Sequence, residues 1–229
     1  MNEWQMARHH VSIAGRVLDA GTGKPVVDAI VYMPGEVPKE FDTKLGVAAL
    51  PYGDRWHATL KRPDRTSTRP DGVFYFLDLP DGKYELSACI PDLDKVFRER
   101  PEGNKLRAPV PSYGKRFGLA EATVTIPQGG QGPQRVVFVS LALPSTMVKG
   151  KVTGSGRKSG VMLAEVRVEG SGERTFTDVQ GQFTVTGIEP GKRVLVVSAQ
   201  GYRDKTQSVT VASPGVSQPL DFTLTRESG

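Results

Sequence analysis

Side chains that could perform acid–base or nucleophilic chemistry are scarce in this chain of 229 residues. Its three histidines are His9, His10 and His57, and none lies in a motif that pairs it with a serine or cysteine nucleophile. The sequence also contains no Gly-x-Ser-x-Gly turn. Catalysis would require the carboxylates of Asp54 and Asp64 to converge on His57 in a cleft. The sequence therefore predicts a protein that is not an enzyme.

Metal and cofactor sites are not predicted either. The only cysteine is Cys89, which excludes a disulfide framework and a cysteine-based zinc site. The adjacent His9 and His10 would point apart on an extended segment, so they are a poor pair of metal ligands. The chain also lacks a phosphate-binding glycine loop that ends in Lys-Ser or Lys-Thr. We expect no cofactor.

Composition and charge narrow the class of protein. The chain has 26 Gly and 17 Pro, an excess that suits a fold with many tight turns rather than a helical bundle. Its net charge of +5 comes without dense basic clusters between aromatic platforms, so nucleic acid is not predicted as a partner. It has no membrane-length apolar run and no signal-peptide pattern at the start. The expected location is the cytoplasm, unless a dedicated machine exports the protein.

An internal repeat is the strongest signal in the sequence. Matched segments share their glycines and their alternation of apolar and polar residues, which is typical of half-buried strands. The matches are 13–17 with 148–152, 26–31 with 161–166, 71–79 with 180–188, and 124–126 with 209–211. Gly82 and Gly191 close equivalent turns, where we expect a positive φ. Short strands with Gly and Pro between them predict a β-sandwich in each copy.

Two insertions distinguish the first copy from the second. The separation between matched segments shortens in two steps, which places extra residues at about 34–69 and 91–119. In the second insertion Asp92 is a suitable N-cap for a short helix that would stop before Pro101. The predicted organisation is an N-terminal arm at 1–10, a first sandwich at 11–143, a linker at 144–146 and a minimal sandwich at 147–226.

Three segments resemble the carboxypeptidase regulatory-like domain family. They are GRVLDAGTGKPV at 15–26, TRPDGVFYFLDLPDGKY at 68–84 and AQGY at 199–202. The resemblance implies a transthyretin-like β-sandwich related to the collagen-adhesin B-type repeats, and it says little about function. The predicted fold is all-β, with two tandem transthyretin-like/Ig-like β-sandwich domains. The first of these carries the two insertions, one of them with a short helix.

The insertions are the predicted binding regions, because long loops on a rigid scaffold often carry binding. Their aromatic, basic and histidine side chains are the kinds found at interface hot spots. The candidate partner-binding residues are Tyr52, Arg55, Trp56, His57, Phe97, Arg98, Tyr113, Arg116 and Phe117. A competing interpretation is that Trp56 covers an open sheet edge of its own domain.

Two hypotheses for function follow. The first is a non-catalytic structural or adaptor protein that contacts other proteins. By analogy with the family, it would be part of a multiprotein assembly such as a phage-tail-like or bacterial injection machine. The alternative is a carbohydrate-binding module that uses Trp56, Tyr52 and Tyr113 as stacking platforms for a glycan. The sequence predicts neither the identity of the partner nor the oligomeric state.

Overall fold

The computed structural model describes residues 9–59, 62–92, 114–128, 136–156 and 159–227, with the backbone alone at 54, 57 and 58. The chain divides into two compact units. The first comprises Met1–Leu18, Lys24–Gly114 and Leu119–Leu143, and the second comprises Asp19–Gly23, Lys115–Gly118 and Pro144–Gly229.

The first unit consists of two sheets with helical segments between strands. Its elements are β1 (Val11–Asp19), β2 (Ile30–Tyr32), α1 (Lys39–Ala49), a 3-10 helix (Gly53–Ala58), β3 (Arg65–Ser67), β4 (Val73–Leu77), β5 (Gly82–Cys89), β6 (Ala120–Ile126) and β7 (Val137–Leu143). One sheet has the strand order β4-β1-β7 and the other has the order β3-β2-β5-β6.

The second unit repeats this plan without helices among its described residues. Its strands are β8 (Met147–Gly154), β9 (Glu165–Val168), β10 (Arg174–Phe176), β11 (Gln182–Thr186), β12 (Gly191–Ser198), β13 (Lys205–Val211), β14 (Ser217–Pro219) and β15 (Phe222–Leu224). The sheet orders are β11-β8-β14, with β15 also paired to β8, and β10-β9-β12-β13. Strands β8 to β14 thus take the places of β1 to β7, and β15 is an additional strand paired to β8. The prediction of an all-β fold with two tandem β-sandwiches is confirmed.

Equivalent glycines show why the two copies share sequence at their first strand. A Cβ atom on Gly15 would overlap the carbonyl oxygen of Val139, and a Cβ on Gly150 would overlap that of Leu220. The backbones pass so closely there that only glycine fits. The turn glycines behave as predicted, because φ is +142° at Gly82 and +108° at Gly191.

The core of each unit is built from the inward-facing residues of its strands, which alternate with outward-facing ones. In the second unit Phe183 and Phe222 lie with ring centroids 6.1 Å apart among buried aliphatic side chains of both sheets. In the first unit Tyr84 is fully buried, and its hydroxyl donates a 2.8 Å hydrogen bond to the carbonyl of Pro80. Buried tyrosines need such a partner for the polar end of the ring.

The described helix lies in the first insertion, where the sequence analysis did not predict one. Helix α1 begins after Pro38 and buries Phe41, Leu45 and Ala49, which recur every four residues along one face. The ring of Phe41 meets that of Tyr84 edge-on at 6.0 Å, so the helix covers the core of its own unit. The helix predicted to start at Asp92 lies outside the described residues. No helix in the described part of the chain is long and apolar enough to cross a membrane.

Candidate functional site

Trp56, the leading aromatic candidate, is buried rather than presented to solvent. It lies in the 3-10 helix and is only 3% exposed. The guanidinium of Arg62 stacks over the indole at 4.4 Å from the ring centroid, and the Tyr52 ring lies 5.7 Å away. Cation–π stacking of this kind is strongest where the pair is shielded from water. This arrangement favours the interpretation that Trp56 covers its own domain, and it leaves no indole face for a sugar ring.

Asp64, one of the carboxylates considered for catalysis, is held in a buried ion pair. Its two oxygens accept hydrogen bonds from Arg62 Nε at 2.8 Å and Nη2 at 2.7 Å, and both side chains are almost fully buried. Burial, followed by the neighbouring charge of Arg62, lowers the pKa of Arg65. A bidentate pair of this kind positions the loop, and both carboxylate oxygens are occupied by Arg62 rather than available to accept a proton from a substrate.

Two of the remaining candidates of the first insertion, Tyr52 and Arg55, are exposed. Tyr52 is 41% exposed, and Arg55 is exposed beside it in the 3-10 helix. The Arg55 carbonyl accepts a 3.1 Å hydrogen bond from the hydroxyl of Thr59. His57 belongs to the same helix, and its side chain lies outside the described residues.

The candidates of the second insertion are divided. Phe97, Arg98 and Tyr113 lie outside the described residues. Arg116 lies in the part of the chain that joins the second unit, where it pairs with Glu173 at 2.6 Å and Glu189 at 2.7 Å.

Arg116 and its neighbour Phe117 are therefore already engaged within the second unit. The hydrogen bond to Glu189 raises the pKa of Arg116, so its charge is permanent but neutralised by two carboxylates. Phe117 is half-buried and forms a β-bridge with Ser145. Both residues have contacts within the second unit, and their contact with a partner stays a prediction.

An apolar surface that the sequence analysis missed lies at the edge of the second unit. Met162, Leu163, Phe176 and Val179 are 53%, 67%, 56% and 67% exposed. All four lie within two residues of a backbone hydrogen bond from Leu163 to Thr177, 3.0 Å long. We call these four residues the β10 edge surface. Several large apolar side chains exposed together mark an interaction site more often than isolated ones do.

Strand β10, which carries Phe176, is an open edge of its sheet. It pairs only with β9 among the described strands, through Arg174 opposite Arg167, Thr175 opposite Val166 and Phe176 opposite Glu165. An edge strand leaves a row of backbone donors and acceptors without a neighbouring strand, and apolar side chains beside such an edge favour association.

Leu163 has an unusual backbone for a leucine. Its φ is +57°, in the left-handed region that a residue with a bulky side chain rarely adopts. The same backbone occurs in the first copy at Asp28, also at φ +57°, and aspartate tolerates this region far better. The fold therefore requires a left-handed backbone at this position in both copies, but only the second copy has a leucine there.

Shared hydrogen bonds confirm this alignment of the two copies. The Thr68 hydroxyl bridges the amide of Ala29 and the carbonyl of Val26, at 2.9 and 2.7 Å. The Thr177 hydroxyl bridges Ala164 and Val161 in the same way, at 2.8 and 2.6 Å.

The alignment shows that the first copy has polar residues at two of the four positions of the β10 edge surface, those of Leu163 and Phe176. In the first copy the positions of Met162, Leu163, Phe176 and Val179 are taken by Val27, Asp28, Ser67 and Pro70. A position-by-position comparison of the two copies could have indicated this surface from the sequence alone.

Charges flank the apolar residues. Arg174 and Arg167 are directly opposite each other on the exposed face of β10 and β9. Like charges at opposed positions of an antiparallel pair repel. The carboxylate oxygen Oε1 of Glu165 lies 3.5 Å from Arg174 Nη1.

Within the described part of the chain, no cluster of three or more His, Cys, Asp or Glu could hold a metal ion.

Comparisons with known proteins give one family match and several similar solved structures. Residues 148–228 match the CarboxypepD_reg-like domain family. Among solved structures, the shaft pilin SpaA from Lactobacillus rhamnosus GG is 11% identical, with 96% of this chain and 98% of that chain covered and a TM-score of 0.39. The minor pilin GBS52 from Streptococcus agalactiae is 11% identical, with 95% and 98% covered and a TM-score of 0.30.

A third similar structure is a type II cohesin-X-dockerin complex from Acetivibrio cellulolyticus, at 15% identity and a TM-score of 0.28. That match covers 35% of this chain, and the chain spans 57% of the length of that protein. The search of curated proteins gives no match. The family match falls on the minimal sandwich that the repeat predicted, and residues 148–228 are therefore identified as a CarboxypepD_reg-like domain.

Proposed function

We propose that this chain is a non-catalytic, protein-binding module, and that it serves as a structural or adaptor component of a larger assembly. The single observation that carries the proposal is Leu163, an exposed leucine in a left-handed backbone within an apolar surface. Strain of this kind persists where the side chain has a role that the fold itself does not require.

The chemistry of the β10 edge surface favours a protein over a glycan. Three of its four side chains, Met162, Leu163 and Val179, are not aromatic, and such residues suit the apolar core of a protein interface. Of the aromatic side chains that the glycan alternative names, Trp56 is buried, and Tyr52 is 41% exposed with its ring 5.7 Å from the Trp56 ring. The described geometry therefore supports the first of the two hypotheses for function.

Site-specific crosslinking tests the proposal. A photoreactive amino acid at Val179, in the full chain, is irradiated in an extract of the cells that produce the protein. We expect a defined protein to be crosslinked, and its yield to fall at least tenfold in the double variant Leu163→Asp with Phe176→Ser. Both replacements are the residues that the first copy uses at the same positions, so the fold accommodates them.

A matched control distinguishes specific binding at this surface from nonspecific hydrophobic association. Phe138 on β7 is 79% exposed in the first unit, and Phe138→Ser removes an aromatic ring of the same size. The crosslink should survive in this control. Equal crosslinking of the wild type and the double variant, or loss of the crosslink in Phe138→Ser, contradicts the proposed function.

A further inference from the structure

We infer that the segment bound at the β10 edge surface is an extended stretch of a partner protein that adds to β10 as a new edge strand. This segment carries an acidic side chain two residues away from an apolar one. The inference rests on the proposed function, because it specifies the partner of the same surface.

The backbone of β10 has hydrogen-bonding groups directed away from its sheet. The Glu173 carbonyl accepts from Val168 at 2.9 Å, and the Thr177 amide donates to Ala164 at 3.0 Å, so both residues face the β9 side. Alternate residues of a strand direct their amides and carbonyls to opposite sides. Arg174 and Phe176 therefore direct theirs toward the open edge, where an added strand would bond.

The side chains of Arg174 and Phe176 fix what that strand must carry. Their partners on β9, Arg167 and Glu165, alternate with the buried Val166, so all four side chains lie on the outer face of the sheet. An added strand would place two of its residues opposite Arg174 and Phe176, two positions apart and on this same face.

Charge and polarity then assign the two positions. Arg174 and Arg167 are paired across the two strands, and the carboxylate of Glu165 lies 3.5 Å from Arg174 Nη1. A second carboxylate from the partner opposite Arg174 would relieve this repulsion. An apolar side chain opposite Phe176 would cover its ring together with the neighbouring Leu163.

The other edge of the same sheet provides a contrast. Strand β13, Lys205–Val211, is a longer edge, and its exposed side chains are those of lysine, threonine, glutamine and serine. Polar edges with lysine resist strand addition. The sheet therefore protects one edge and exposes apolar side chains at the other.

Selection from a displayed library of random twelve-residue peptides, with the full chain as bait, tests this inference. We expect wild-type protein to enrich peptides with an acidic and an apolar residue two positions apart. The variant Arg167→Glu with Arg174→Glu should enrich lysine or arginine at the acidic position. The best peptide should lose at least tenfold in affinity when the amides that face β10 are N-methylated, but not when the alternate amides are.

The outcomes separate the inference from the proposed function. Binding that requires Leu163 and Phe176 but ignores charge reversal and N-methylation would overturn strand addition and leave the proposed function intact. Failure to enrich any pattern would overturn the inference. A concentration-dependent dimer in sedimentation that disappears in Phe176→Ser would show that a second copy occupies the edge, and would overturn a partner segment.

Discussion

Replacing Leu163 with aspartate should leave the second unit at least as stable as the wild type, although a leucine is removed. A non-glycine residue in the left-handed region costs roughly 1–2 kcal/mol, and aspartate avoids part of that cost by local hydrogen bonding. Leu163 is 67% exposed, so about a third of it is covered. Because complete burial of a leucine contributes about 1.5–3 kcal/mol, the covered third contributes only about 0.5–1 kcal/mol.

The two contributions nearly offset each other, so we expect the free energy of unfolding to change by about 0 to +1 kcal/mol. The reverse change, Asp28→Leu, imposes the same strain on the first unit and should lower its stability by up to about 1 kcal/mol. Leu163→Asn serves as a control for the added negative charge, since asparagine also tolerates a positive φ.

Hydrogen exchange measured by mass spectrometry can follow each unit separately through peptides of β9 and β2. A loss of more than about 1 kcal/mol in Leu163→Asp would show that packing, rather than binding, retains the leucine, and would refute the reasoning. A gain in stability in Asp28→Leu would equally refute it, because the left-handed backbone would then carry no cost for leucine.

Three further predictions concern the fold. Gly150→Ala and Gly15→Ala should each lower stability by about 3 kcal/mol or more, because the added methyl overlaps a backbone carbonyl; an unchanged melting temperature would contradict this. Asp64→Asn should cost about 3–5 kcal/mol in urea unfolding followed by tryptophan fluorescence, since it leaves the Arg62 guanidinium buried without its carboxylate. Burial raises the pKa of Cys89 to about 12, against the opposing effect of Arg65, so iodoacetamide at pH 8 should label this thiol only in urea; rapid labelling of the folded chain would disagree.

Much of the fold could be predicted because the repeat exposes constraints that act locally. The matched segments 71–79 and 180–188 contain the equivalent strands β4 (Val73–Leu77) and β11 (Gln182–Thr186). Gly82 and Gly191 were expected at a positive φ and have one. Alternation of apolar residues and the demands of tight turns are properties of short stretches of chain, and both can be recognised without tertiary contacts.

The short edge strands β3 and β10 and the helix α1 were not predicted. The two edge strands are only three residues long, too short for a periodic pattern to emerge. In α1 the three buried residues lie among seven polar or small ones, and Pro38 precedes it as an N-cap without a side-chain hydrogen bond. The usual signal of a helix start is therefore missing.

The candidate binding residues show the same division. The sequence indicated Trp56 and Arg116 because their side chains are typical of interfaces. Their availability depends on what lies against them, and Arg62 covers the first while Glu173 and Glu189 pair with the second. The β10 edge surface escaped notice because Leu163 and Phe176 resemble ordinary core residues in the sequence.

The sequence by itself determined that this protein is a small β-sandwich present in two copies, since glycine spacing and apolar alternation are repeated along the chain. Only the tertiary structure decided which side chains reach solvent. Exposure depends on contacts between residues far apart in sequence, and a left-handed backbone at a leucine is visible only in three dimensions. The apolar edge of the second copy became a candidate binding surface for that reason.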